Sequence, residues 1–75
     1  MYDYDYSKLR GKIKEIFGRQ EDFALDMLLS PVSLSAKLNN KVEFTQAEMN
    51  RACKLLGIPV EFIHLYFFSK KVKNI

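Results

Sequence analysis

Apolar residues recur along this chain three and four positions apart, the spacing of one face of an α-helix, and short polar stretches separate the runs. Leu9, Ile13, Ile16 and Phe17 form the first stripe and predict a helix from about Tyr6 to Phe17, which Asp5 or Ser7 can cap. Gly18 then suits the position after the helix, where a left-handed backbone costs glycine nothing. Phe23, Ala24 and Met27 predict a second helix over about 20–27. Ser30-Pro31 reads as a cap followed by proline at the first helical position, so a third helix runs to about Leu38 with Leu34 and Leu38 facing inward. Asn39 and Asn40 end it, because asparagine tolerates the left-handed conformation.

Thr45-Gln46-Ala47-Glu48 is a complete capping box with Phe44 and Met49 at the staple positions, and it opens a fourth helix. That helix buries Met49, Ala52, Cys53 and Leu56 and closes at Gly57. Ile58-Pro59 starts a short fifth helix through about Leu65, with Phe62, Ile63 and Tyr66 as its inner residues. Residues 67–72 either fray, extend or pair as a strand, and Val42, Glu43 and Phe44 are too few for a sheet. The expected fold is all-α: one compact bundle of about five short helices over residues 1–75, with a possible extended segment at its C-terminal end.

Composition narrows the class. Apolar residues make up 48% of the 75 positions and charged residues 28%, which suits a folded domain and not a disordered one. The longest apolar run, Leu65-Tyr66-Phe67-Phe68, is too short to span a bilayer, and residues 1–6 carry no signal-peptide pattern. One cysteine, Cys53, excludes an intrachain disulfide and a cysteine-based zinc cluster, so a reducing cytoplasm is the expected location. The net charge of +3 is unevenly distributed: Lys8, Arg10, Lys12, Lys14 and Arg19 come first, Glu21, Asp22 and Asp26 interrupt, and lysines and Arg51 follow. Such interruption fits a domain meeting a phosphate backbone at a few points rather than along a stripe. No nucleophile–base pair, paired catalytic carboxylates, phosphate loop or metal motif is present, so neither an enzyme nor a cofactor site is expected.

The second and third helices are separated by about three residues, the geometry of a helix-turn-helix whose second member enters the major groove. Phe23, Met27, Leu29 and Leu34 would hold the pair at a fixed angle, and Ala24 is small where the helices cross. In Gln20-Glu21-Asp22-Phe23-Ala24, Leu29-Ser30, Ser33-Leu34-Ser35 and Lys37-Leu38-Asn39-Asn40-Lys41 the chain resembles the Cro/C1-type (XRE-like) helix-turn-helix of phage repressors. With Tyr4-Asp5-Tyr6-Ser7-Lys8-Leu9 and Ile63-His64-Leu65-Tyr66-Phe67-Phe68 it resembles a set of small phage- and prophage-encoded Cro-like regulators over nearly its whole length.

The resemblance implies a repressor that binds a double-stranded operator as a homodimer, with the helix at about 31–38 in the major groove. Gln20 would meet a phosphate at the start of its helix. Ser30, Val32, Ser33 and Ser35 would face the bases, and Lys37, Asn39, Asn40 and Lys41 would grip phosphates. Two departures bear on this. The family usually has glycine where Leu28 stands, so that turn either accepts left-handed strain or changes geometry. It also usually has polar or charged residues where Pro31 and Val32 stand, which makes direct base reading sparse.

Plainer roles stand beside these. Lys37 and Lys41 are otherwise solvated lysines, and Arg10 and Lys14 read as surface charge paired with Glu15 or Asp5. Glu21 and Asp22 suit the first turn of a helix, His64 has no chemical partner at ligand spacing, and Cys53 reads as core. The tyrosines at 2, 4 and 6 either stack on bases or form an arm against the first or fifth helix. Leu65, Tyr66, Phe67 and Phe68 divide between core and a dimer contact. The rival function is a protein-binding module on the same scaffold, an antirepressor docking onto another phage regulator.

Overall fold

In the computed structural model, residues 3–71 are described. Helix α1 spans Ser7–Phe17, α2 Gln20–Asp26, α3 Pro31–Leu38 and α4 Gln46–Leu56; a 3-10 turn, Val60–Phe62, leads into α5, Ile63–Phe67. The all-helical bundle is therefore the observed architecture, and the caps explain its boundaries. Tyr6, not Asp5 or Ser7, is the N-cap of α1, and it makes no side-chain cap bond; Asp5 acts from one residue earlier by accepting the Ser7 N–H at 2.9 Å. Ser30 Oγ accepts the Ser33 N–H at 3.1 Å with Pro31 opening α3. The capping box of α4 is complete: Thr45 N–H donates to Glu48 Oε1 at 2.9 Å and Glu48 N–H to Thr45 Oγ1 at 3.1 Å.

Four helices end on a residue with positive φ, and only two of the four are glycine. Gly18 closes α1 at φ 79° and Gly57 closes α4 at φ 67°, while Leu28 follows α2 at φ 60° and Asn40 follows α3 at φ 62°. In both non-glycine cases the chain reverses through the same paired bonds: Leu28 N–H to Leu25 O and Leu29 N–H to Ala24 O, then Asn40 N–H to Lys37 O and Lys41 N–H to Ala36 O. Asparagine tolerates this backbone. Leucine does not, at a cost of roughly 1–2 kcal/mol, so the turn keeps its usual geometry and Leu28 carries the strain.

The core runs between the helices as Leu9 and Ile13 of α1, Phe23, Ala24 and Met27 of the second unit, Leu34 and Leu38 of α3, and Ala52, Cys53 and Leu56 of α4. Tyr6, Phe44 and Phe67 complete it edge-to-face, with ring centroids 5.5 and 5.2 Å apart. Burial pushes the Cys53 thiol up, as expected for a core cysteine.

Two inward assignments are corrected. Ile16 is exposed, because Leu9, Ile13 and Phe17, each four residues on, already fill the face of α1 that meets the bundle. Phe62 is exposed and Phe67 takes the deep position, because the tight 3-10 turn, at three residues per turn, rotates the following helix relative to an α-helix started at Pro59.

The extended segment exists as a single antiparallel bridge between Tyr4 and Lys70, flanked by Asp5 N–H to Ser69 O at 2.6 Å and Lys71 N–H to Asp3 O at 3.2 Å. Tyr4's own backbone faces the other way: its N–H donates to Asn40 Oδ1 at 2.9 Å, and Asn40 Nδ2 donates to its carbonyl at 3.0 Å. The amide of Asn40 thus pairs like a strand with the arm. Tyr4 also lies edge-on to Phe68 at 5.9 Å, which makes the tyrosine stretch a packed arm; Tyr2 and residues 72 onward lie outside the described residues. Asn40→Gly keeps the left-handed backbone and deletes both bonds. It is expected to cost about 1 kcal/mol in urea unfolding and to speed exchange of the Tyr4 amide hydrogen.

Candidate functional site

Helices α2 and α3 and the turn between them pack through the apolar residues expected to join them. Phe23, Ala24, Met27 and Leu34 are buried, Leu29 is half-buried in the turn, and Phe17 of α1 braces Phe23 edge-to-face at 5.2 Å. The nine residues expected to meet DNA are not all presented. Ser30, Val32 and Ser33 are exposed on the turn and the first turn of α3, and Lys41 is exposed beyond its end. Gln20 is half-buried and lines a hollow with Arg10, Lys14 and Gly18.

The others have partners inside the molecule. Ser35 is half-buried, and Asn39 Nδ2 donates to its carbonyl at 2.9 Å and to its hydroxyl at 3.3 Å. Asn39 Oδ1 accepts from the Arg10 guanidinium at 3.1 Å, and the same guanidinium reaches Leu38 O at 3.2 Å. Arg10 is therefore not plain surface charge. It places a cation on the last carbonyls of α3, where the helix dipole favours one. Glu15, its expected partner, is held by Lys12 at 2.9 Å. Asn40 holds the arm.

Lys37 shows the largest departure from expectation: it is neither a solvated lysine nor a free cation on the α3 surface. Its side chain is 9% exposed, and its Nζ lies 3.1 Å from Glu48 Oε1 and 3.1 Å from Glu43 O, above the Phe44 ring at 6.0 Å from the centroid. Burial pushes the Glu48 carboxyl up, but the Thr45 N–H and the Lys37 ammonium outweigh it and hold the group below the ordinary glutamate value. The lysine locks α3 to the N-terminus of α4. Its spacing in the sequence gave no hint of this, since Glu48 was already accounted for as a capping residue.

The aromatic run also divides. Phe67 is core and is withdrawn from any dimer contact, Tyr66 is half-buried with Lys8 Nζ 6.0 Å from its ring centroid, and Leu65 and Phe68 are exposed. Among the described residues no cluster of three His, Cys, Asp or Glu side chains is arranged to hold a metal ion, and no helix is long and apolar enough to cross a membrane. The exposed side of α2 and of the turn after it is apolar and acidic: Leu25, Leu28 and Val32 are exposed beside Asp22, Asp26 and Glu21, the last paired with Arg19 at 3.0 Å.

A family model described as a protein of unknown function, DUF739, matches residues 2–70. The chain belongs to the DUF739 family. It is also similar to the solution structure of the modulator of repression of the temperate bacteriophage TP901-1 from Lactococcus lactis. The two chains are 44% identical with a TM-score of 0.78, over 93% of this chain and 95% of the other. No curated protein matches.

Proposed function

We propose that this DUF739 chain is a phage regulatory protein that modulates repression by binding a protein, the DNA-binding repressor of the same phage. The likeness to the modulator of repression along nearly the full length of both chains carries this reading. The geometry supports it independently. Three residues expected to grip phosphates, Lys37, Asn39 and Asn40, have their polar groups engaged by Glu48, Arg10 and Tyr4. A major-groove reader needs cations and base-edge donors. The exposed part of α3 offers Ser30, Val32 and Ser33, and the neighbouring helix offers carboxylates.

Mixing the purified chain with that repressor should yield a complex on size-exclusion chromatography, and the chain alone should leave that repressor's operator DNA unshifted. A steeply salt-dependent DNA shift by the chain alone, with no protein complex, would return the function to a Cro-like operator binder. That second reading draws on the helix-turn-helix geometry, on half-buried Gln20 and on exposed Ser30, Ser33 and Lys41, and it requires a homodimer. Leu65 and Phe68 are the part of the aromatic run available for one, and sedimentation of the isolated chain measures it.

A further inference from the structure

Two features of the α2–α3 face work against the fold that carries them. Leu28 holds a left-handed backbone that glycine would occupy without strain, and its side chain is nonetheless 76% exposed. The residue is therefore unfavourable in backbone and in solvation at once. Asp26 ends α2, where the helix dipole disfavours a carboxylate, whereas Glu21 and Asp22 sit in the first turn, where it favours one. Leu25, 67% exposed, lies one helical turn from Glu21 and Asp22 and next to Asp26, and Val32 across the turn is 79% exposed. Local choices that the fold opposes, gathered on one surface, mark a surface kept for something other than stability.

We propose that α2, the turn at Leu28 and the first turn of α3 form a docking face for a protein surface with an apolar centre and lysine or arginine at its edge. Leu25, Leu28 and Val32 supply the apolar centre, and Asp22 and Asp26 the acidic edge, while Glu21 is paired with Arg19 at 3.0 Å. Charge selects the occupant. A second copy laid face to face would set carboxylates against carboxylates, and a duplex would bring phosphates to the same rim. A cationic protein surface is complementary to it. The inference rests on the modulator reading and assigns that reading its contact surface.

Calorimetric titration of the chain and its variants against the same repressor, at two salt concentrations, tests it. Leu28→Gly should bind at least tenfold more weakly while its thermal midpoint stays level or rises, a combination that damage to the fold does not produce. The pair Asp22→Lys and Asp26→Lys should weaken binding and flatten its salt dependence. Lys54→Glu on exposed α4 should bind as the unaltered chain does. If the unaltered chain forms the complex and the α2–α3 variants bind equally well, or Lys54→Glu weakens binding as much as they do, the docking face lies elsewhere and the modulator reading stands. A chain that forms no complex overturns both.

Discussion

Phe23→Ala is expected to leave most molecules unfolded at physiological temperature. Phe23 is fully buried on α2, against Phe17 of α1. Deleting a buried phenyl ring costs about 3–5 kcal/mol, the lost transfer energy plus the cavity. A domain of 75 residues holds only about 4–11 kcal/mol at typical stability per residue, and small domains fall toward the lower end because they bury less of their surface. Helix α2 has seven residues, too few to persist by backbone hydrogen bonding alone, so its position depends on Phe23, Ala24 and Met27. Thermal unfolding followed by circular dichroism should show the midpoint fall by roughly 15 °C or more. Phe23→Leu, which leaves a smaller void, should lose about a third as much. Equal losses in the two variants would mean that ring shape, not volume, holds the site.

Glu48→Gln is expected to cost about 2 kcal/mol, because the buried Lys37 ammonium loses its counter-charge. Glutamine can still accept the Thr45 N–H, and the same Oε1 still faces Lys37, so the helix cap survives and the loss reports the missing negative charge. The ammonium would then keep only neutral partners, that amide oxygen, the Glu43 carbonyl and the Phe44 ring. The pH dependence has a definite sign. The folded pKa of Glu48 lies below its ordinary value of 4.5, so the folded state binds this proton less readily than the unfolded chain does. The stabilisation is complete above the ordinary value and is lost as pH falls through the folded one. Asp5, lowered by its bonds to Ser7, contributes with the same sign at the surface. Urea midpoints between neutral and acid pH should therefore decline on the acid side, and Glu48→Gln should shallow that decline. An acid limb unchanged in the variant would assign it to other carboxylates.

The candidate site was legible in parts. Ser30-Pro31 announced the start of α3, and the departure from glycine at Leu28 left a choice between strain and another turn geometry, which φ of 60° decides for strain. Val32 stood out as a poor base reader, and it is among the most exposed apolar side chains. The acidity of α2 was visible in Glu21, Asp22 and Asp26. Lys37 was misjudged because its neighbours in sequence place it only on a helix, and both faces of a short helix suit a long amphipathic lysine. Only the approach of α4 decides which way the amine goes.

What the chain by itself determines are the features made between residues five or fewer apart. The α4 capping box, the proline start of α3, the left-handed stops and the apolar stripes all close within one or two helical turns, so residue type and spacing suffice to read them. Tertiary structure decided what spans greater separations: Asn40 pairing with Tyr4, Arg10 capping α3, and Lys37 turning inward to Glu48. In each case a polar side chain had more than one favourable local environment. The choice among them fell to whichever helix packed beside it, because an unpaired polar group in the interior costs more than any local preference supplies.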